Sequence, residues 1–166
     1  IASFLKQKGF NIKLILTHGH FDHAGGIAYF KPEQILVTKQ IFANLKKKET
    51  WGLDFLKTVH FTKEVGFLAK EFCLNFKIII NKKVNIFSRN SIAVGDFYFD
   101  ILPCPGHTDD SILLYDKKKK ILITGDALYD GDIYANFLIY DRGQFNRSLN
   151  YIAKLPIDTI LPGHNA

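Results

Sequence analysis

The sequence predicts a layered α/β fold. Short apolar runs that suit buried strands alternate with segments that suit helices in the first part of the chain, and strand-like runs dominate afterwards. At 166 residues and 47% hydrophobic content the chain has enough apolar mass for a core, so we expect one domain over residues 1–166. No apolar run approaches the roughly 20 residues that a membrane-spanning helix needs, so no membrane span is predicted.

The first part of the chain supports this alternation element by element. The predicted elements are a helix over 3–8 that ends at Gly9, a strand over 12–16, a helix over 27–30 that Pro32 ends, a strand over 34–37 and a helix over 39–47. Residues 49–70 have mixed periodicity. For them we expect short helices and loops that form a lid or a substrate-facing insertion.

The later part of the chain is rich in strand-like runs. Strands are predicted over 76–80, 84–87, 97–102, 112–115, 121–124 and 159–161, with a helix over 146–155. Asp116 and the lysine run that follows it indicate a hairpin turn between two of these strands.

Five of the six histidines lie in three short segments that follow strand-like runs. These segments read T-H-G-H-F-D-H, P-G-H-T and P-G-H-N, and a T-G-D segment adds a carboxylate. The candidate metal ligands are His18, His20, Asp22, His23, His107, Asp126 and His164. Because imidazole and carboxylate groups suit zinc, and also iron or manganese, the set predicts two metal ions per chain, with zinc favoured.

The spacing of these residues suggests how the ligands divide. His18 and His20 project to the same side of an extended segment, and Asp22 and His23 follow in a bend that can address a second metal. His107 and His164 supply a third ligand for each metal, and the Asp126 carboxylate can bridge them.

The motif T-H-x-H-x-D-H, followed by A-G-G and then by P-G-H-T, T-G-D and P-G-H, resembles the metallo-β-lactamase superfamily. The resemblance implies a four-layer αββα sandwich with the metals at one edge between two sheets. It assigns His18, His20 and His107 to one metal, and Asp22, His23 and His164 to the other, with Asp126 shared. Members usually have strands before the first histidines and a helix after the last, so we expect this sequence to be incomplete at both its N- and C-termini.

Residues 120–131 are similar to the branch of this superfamily with acyl-CoA thioesterase activity, and Trp51 fits that branch too. Asp110 departs from the branch, which usually has Gly before the Ser. Asp126 stands where the commonest zinc β-lactamases carry Cys, which disfavours antibiotic hydrolysis. The resemblance therefore implies a binuclear metallohydrolase, of the thioester hydrolase class EC 3.1.2, that acts on a small-molecule thioester or similar carbonyl ester, with acyl-CoA favoured.

In this interpretation a hydroxide shared by two zinc ions attacks the carbonyl carbon. Asp22 is the residue expected to orient the nucleophile or to carry a proton. Tyr129 and Tyr134 follow Asp126 and can donate a hydrogen bond to the oxyanion, although ordinary packing explains them equally well.

Three alternatives use the same residues. They are a mononuclear-iron persulfide dioxygenase, a phosphodiesterase or nuclease, and a catalytically inactive fragment that only binds metal. The net charge of +6 favours the nuclease, but the lysines cluster in polar connectors, so nucleic acid is disfavoured as a partner. Cys73 and Cys104 are too few for a disulfide framework, which favours a reducing compartment and a cytoplasmic protein. His60 lies outside the motifs and is expected to be structural.

Overall fold

The computed structural model describes residues 2–54, 56, 59–80, 83–133 and 141–165. The chain divides into two compact units, Ile1–Phe87 and Ser88–Ala166, which we call unit 1 and unit 2. Each unit is built around one β-sheet.

Unit 1 contains a parallel sheet of very short strands. The strands are β1 (Leu14–Ile15), β2 (Ile35–Val37) and β3 (Asn85–Ile86), in the order β1-β2-β3. Its helices are α1 (Ala2–Gln7), α2 (Phe21–Ala24), α3 (Lys39–Asn44) and α4 (Lys63–Asn75), with 3₁₀ turns at Gly25–Tyr29, Pro32–Gln34 and Lys48–Thr50. Val37, Ile41 and Leu45 are almost fully buried and form part of the core. α3 begins where the Thr38 hydroxyl accepts a hydrogen bond from the Ile41 N–H, as an N-cap should.

Several predicted elements of unit 1 have different bounds in the structure. The helix predicted over 27–30 is a 3₁₀ turn that begins earlier, and the strands predicted over 12–16 and 84–87 are only two residues long. The strand predicted over 76–80 is wrong, because those five described residues contain no strand. The Phe76 ring instead packs against the rings of Phe72, Phe21 and Trp51, so its apolar character serves an aromatic cluster.

Unit 2 contains a five-stranded sheet in the order β4-β5-β6-β7-β8. The strands are β4 (Ser91–Val94), β5 (Phe97–Pro103), β6 (Ile112–Asp116), β7 (Ile121–Gly125) and β8 (Thr159–Pro162). The predicted hairpin is confirmed, since β6 and β7 are antiparallel and residues 117–120 form the turn. β4 was not predicted. Helix α5 (Arg142–Ile152) begins where the Asp141 carboxylate accepts from the Gly143 N–H, and it contributes Ile152 to a core with Leu113 and Leu122.

Strand direction explains where the polar motifs of unit 2 meet. β5 and β7 are both antiparallel to β6, and β8 is parallel to β7. β5, β7 and β8 therefore end at the same edge of the sheet, as the carboxyl ends of parallel strands do. The segments that follow these three ends carry His107, Asp126 and His164.

Asp116 fixes the turn at the opposite edge. Its carboxylate accepts hydrogen bonds from the backbone N–H groups of Lys119, at 2.9 Å, and Tyr98, at 3.1 Å. The Lys119 hydrogen bond is the largest cause that lowers the pKa of Asp116 below its ordinary value. Among the described residues, no helix has the length and apolarity needed to cross a membrane.

Candidate metal centre

The first half of the candidate centre is a cluster of three imidazole rings in unit 1. The His18 ring centroid lies 4.8 Å from that of His20 and 4.2 Å from that of His23. One ligating nitrogen of His18 and one of His20 lie within 4.8 Å of each other. His18 is 1% exposed, and its Nδ1 lies 3.2 Å from the Thr17 hydroxyl. The seven-residue motif thus brings three imidazoles together within a short stretch of chain.

Helix α2 explains why Asp22 and His23 turn away from the extended segment. His20 is the N-cap of this helix, and Asp22 and His23 lie in its only turn. The Asp22 Oδ2 lies 3.7 Å from His23 Nε2, and the Asp22 side chain is 38% exposed. Asp22 is therefore a carboxylate that solvent can reach next to a half-buried imidazole.

The segment at Trp51 and Gly52 packs against His20 and the start of α2. The Phe21 N–H donates to the Trp51 carbonyl at 2.8 Å, and the indole of Trp51 is buried and donates to the Leu45 carbonyl. Gly52 has φ +73°, and a Cβ there would lie only 2.8 Å from His20 Cδ2. A glycine is therefore required for the backbone to pack against the His20 ring.

The second half of the candidate centre, in unit 2, is built around one carboxylate. Asp126 Oδ2 lies 3.5 Å from His107 Nε2 and 3.3 Å from His164 Nε2. The Asp126 side chain is 7% exposed and His107 is buried, whereas the His164 side chain is 45% exposed. One carboxylate thus faces two imidazoles that come from different strand ends.

The loop that carries His107 is held by a buried polar network. The Thr108 hydroxyl donates to Asp110 Oδ1 at 2.6 Å and lies 2.6 Å from the Ser111 hydroxyl. Gly106 packs directly against Phe145 of α5, and an added Cβ would overlap that ring. These contacts fix the backbone on both sides of His107. The motif P-G-H-T did not by itself indicate Phe145 or Asp110 as its partners.

Asp126 and His164 are held together by their strands. The Gly163 N–H donates to the Gly125 carbonyl at 2.8 Å, which extends the β7–β8 pairing up to the two candidate ligands. The Thr124 hydroxyl donates to the Leu128 carbonyl at 2.7 Å and closes the turn after Asp126.

Comparison with known proteins now identifies the family. The sequence profile of the metallo-beta-lactamase superfamily matches residues 12–164. The chain belongs to the metallo-β-lactamase superfamily. Its two sheets with mixed helices match the αββα fold of that superfamily, so the predicted fold class is confirmed.

The chain is similar to several known members of the superfamily. It is 29% identical over 160 residues to acyl-coenzyme A thioesterase MBLAC2 of Gallus gallus, an alignment of 90% of this chain and 55% of the relative. It is 28% identical to the hydroxyacylglutathione hydrolase GloC of Haemophilus influenzae, over 98% of this chain and 73% of the relative. The chain thus spans about half the length of the MBLAC2 proteins that it matches.

A solved structure supports the same fold. The crystal structure of TTHA1623 in a di-iron-bound form superposes with a TM-score of 0.69 at 21% identity, and covers 99% of this chain and 76% of that chain. At this identity the likeness concerns the fold.

Tyr129 and Cys104 also have defined environments in this member of the superfamily. The Tyr129 ring lies edge-on to the His164 ring at 6.0 Å, and its hydroxyl donates to the Asp132 carbonyl at 3.0 Å. Burial raises the pKa of the Cys104 thiol to about 11, and a hydrogen bond with Ser148 offsets this in part. Cys104 is therefore a protonated core residue at neutral pH. Tyr134 lies outside the described residues.

The donor groups of both halves fit a divalent metal. The candidate ligands offer imidazole nitrogen and carboxylate oxygen, which are the donors that zinc and first-row transition metals accept. In unit 2 the Nε2 atoms of two imidazoles approach the same oxygen of a buried carboxylate, and in unit 1 three imidazoles pack ring against ring. Within each half, the residues present are thus suited to hold a cation.

Proposed function

We propose that the two halves complete one another and that the protein is a hydrolase dependent on two divalent metal ions. His18, His20 and His107 would hold the first ion, and Asp22, His23 and His164 the second. Asp126 would be shared by both. The whole chain, residues 1–166, would then act as a single metallo-β-lactamase-like domain. Membership of the superfamily and the donor sets in units 1 and 2 support this assignment.

The single observation that carries the proposal is the position of Asp126. Its Oδ2 lies within 3.5 Å of one imidazole nitrogen from the β5 end and one from the β8 end. A buried carboxylate in this position suits a bridging ligand, because it can give an oxygen to each of two ions.

Two divalent ions would supply Lewis acidity and would lower the pKa of water toward neutrality. The protein residues would do the rest. The carboxylate of Asp22 would orient the attacking water and accept its proton, since Asp22 is 38% exposed whereas Asp126, the other carboxylate of the set, is buried. Tyr129 stays a candidate donor of a hydrogen bond to the oxyanion. For this its hydroxyl would first have to give up its hydrogen bond to the Asp132 carbonyl.

We propose a thioester of the acyl-CoA type as the substrate, with zinc as the native metal. The support is the likeness to MBLAC2, whose name describes an acyl-coenzyme A thioesterase, and to GloC, whose name describes a hydroxyacylglutathione hydrolase. Because TTHA1623 has a di-iron-bound form, iron is the alternative metal to test. The cytoplasmic location and the absence of a nucleic-acid partner stay predictions.

The test is thiol release from a long-chain acyl-CoA by zinc-loaded protein, measured beside a lactone, a chromogenic β-lactam and a phosphodiester. We expect thiol release by the wild type and a loss of about 100-fold or more in Asp22→Asn, since general acid–base groups contribute about 10²–10⁴-fold. The matched control is Asp96→Asn, which neutralises an exposed carboxylate in the turn between β4 and β5.

Protein that binds two metal ions per chain but releases no thiol would overturn the thioester assignment and leave the metal centre intact. Turnover of the phosphodiester alone would identify a nuclease. Equal loss in Asp22→Asn and Asp96→Asn would contradict the role given to Asp22.

A further inference from the structure

Unit 1 contains an apolar groove that the candidate metal ligands do not use. Its volume is about 620 Å³, and it is lined by one face of α4 and by the residues that precede this helix. The apolar wall includes Leu56, Val59, Phe61 and Ala69. Sites for small molecules typically measure about 300–1,000 Å³ and are mostly apolar, with a few polar groups. The groove has the size and the composition of a ligand site.

The groove lies close to the first half of the candidate metal centre. Cys73, which lines it, donates through its thiol to the Leu53 carbonyl at 3.7 Å. The residue before Leu53 is Gly52, which packs against the His20 ring. The segment 51–53 thus contacts Cys73 of the groove wall through Leu53 and the His20 ring through Gly52.

A second contact ties α4 to the metal-ligand motif. The Phe72 ring lies 5.9 Å from the Phe21 ring, and Phe21 directly precedes Asp22. The helix that forms one wall of the groove therefore also packs on the turn that carries two candidate ligands.

The charges of the groove indicate what kind of ligand fits. Lys63 and Lys70 line it together with His60, and both lysines are exposed. They are seven positions apart on α4, so they lie on one helix face about 10 Å apart. An apolar wall beside two cations matches a ligand with an alkyl chain and several anionic groups.

We propose that this groove binds the acyl chain of a long-chain, anionic acyl thioester, while Lys63 and Lys70 attract its phosphate groups. The proposal rests on the thioester hydrolase function proposed above and adds a preference for long acyl chains. It also assigns a role to the segment around residues 49–70, for which the sequence predicted a substrate-facing insertion.

The test is binding of hexadecyl-CoA, a thioether that cannot be hydrolysed, to the metal-loaded protein by isothermal titration calorimetry. Ala69→Phe fills the groove. Leu68→Phe is the control, because Leu68 is an exposed residue of the same helix that does not line the groove. We expect Kd to rise about tenfold or more in Ala69→Phe and to stay unchanged in Leu68→Phe, a loss of about 1.4 kcal/mol per tenfold.

Two double variants test the charges without changing the core. The first pair of substitutions, Lys63→Glu with Lys70→Glu, reverses the charge of two exposed lysines at the groove. Lys117→Glu with Lys118→Glu makes the same change of net charge in the turn between β6 and β7. We expect only the first pair to raise Kd, by about tenfold, and to weaken the dependence of binding on salt.

The outcomes separate this inference from the proposed reaction. Hexadecyl-CoA that binds Ala69→Phe as tightly as the wild type overturns the groove assignment, even if thiol is released from acyl-CoA. Equal effects of the two lysine pairs overturn the role of Lys63 and Lys70. Binding that Ala69→Phe abolishes, without any thiol release by the wild type, supports the groove and overturns the reaction.

Discussion

The two halves of the candidate metal centre are built in different ways. In unit 1 the ligands lie within one motif, and three imidazole rings pack against each other at the start of a one-turn helix. In unit 2 the ligands come from the ends of three strands, and a single buried carboxylate faces two imidazoles. The first half depends on local chain geometry and the second on the pairing of distant strands.

This difference shows which substitutions should affect each half. Metal binding by the unit 1 ligands should depend on residues within the motif and on residues that pack against one imidazole ring. Metal binding by the unit 2 ligands should instead depend on the shared carboxylate, whereas the packing behind the strand ends should mainly determine the stability of the fold. The predictions below test this contrast, beginning with the largest effect.

Asp126→Asn should reduce thiol release by more than about 100-fold and lower the metal content. The amide keeps the size of the side chain but loses the charge that faces both His107 and His164. Groups that only orient metal ligands already contribute about 10–100-fold, so a shared ligand should contribute more. Kinetics and elemental analysis measure both effects. Asp130→Asn, an exposed carboxylate on the same loop, should behave as wild type, and an active Asp126→Asn would contradict the bridging role.

Gly52→Ala should lower metal affinity and turnover by about 10–100-fold with a smaller effect on folding. The added methyl group would lie 2.8 Å from the His20 ring, so the ring must move. Gly106→Ala should do the reverse and mainly destabilise the fold, by about 1–3 kcal/mol, because the methyl group meets Phe145 in the core of unit 2.

Chemical denaturation and metal titration of both glycine variants measure this crossed pattern. Gly95→Ala is a control for the backbone alone, since Gly95 also has positive φ but open space around it. If Gly52→Ala and Gly106→Ala lose metal affinity and stability in the same proportion, the contrast between the two halves is wrong.

Asp116→Asn should destabilise the protein at pH 7 but not at acidic pH. Backbone N–H groups, that of Lys119 most of all, lower the pKa of Asp116 in the folded state. Its charge therefore contributes stability above the pKa of the unfolded chain, about 3.9. That contribution is lost as the pH falls through the folded pKa. The gap in Tm between wild type and variant should therefore close below about pH 4. Asp96→Asn should show no such gap, and a gap that is independent of pH would contradict the account.

Alkylation should distinguish the single cysteine of each unit. Cys104 is buried with its pKa raised to about 11, so it stays a protonated thiol at pH 8, whereas Cys73 is only half-buried. Iodoacetamide should modify Cys73 in the native protein and both cysteines in denaturant, as mass spectrometry can show. Modification of native Cys104 as fast as Cys73 would show that this part of unit 2 is open to solvent.

The sequence predicted the fold class and most strands of unit 2, because those strands are long enough to show apolar runs. It did not predict β4, where Ala93 and Val94 are exposed and give no clear alternation. It also assigned Phe76 to a strand, although the same apolar character places that ring in an aromatic cluster. Strands of two residues, such as β1, carry too little periodicity to be bounded from sequence.

The candidate ligands could be proposed from sequence because closely spaced histidines and aspartates in short motifs after strands indicate metal binding. The residues that hold them could not. Gly52 and Phe145 act through tertiary packing, on His20 and Gly106, and no local pattern links these pairs. In the sequence Asp110 shows only as a departure from the expected Gly, and its hydrogen bond with Thr108 depends on the folded loop.

The most direct test of the central claim is the metal content of three variants. His23→Ala removes a candidate ligand from unit 1, His164→Ala removes one from unit 2, and the third variant combines the two changes. If both histidines hold the same second ion, the wild type binds two ions per chain and all three variants bind one. If each unit holds its own ion, the losses add and the combined variant binds none, which would contradict a centre shared by the two halves.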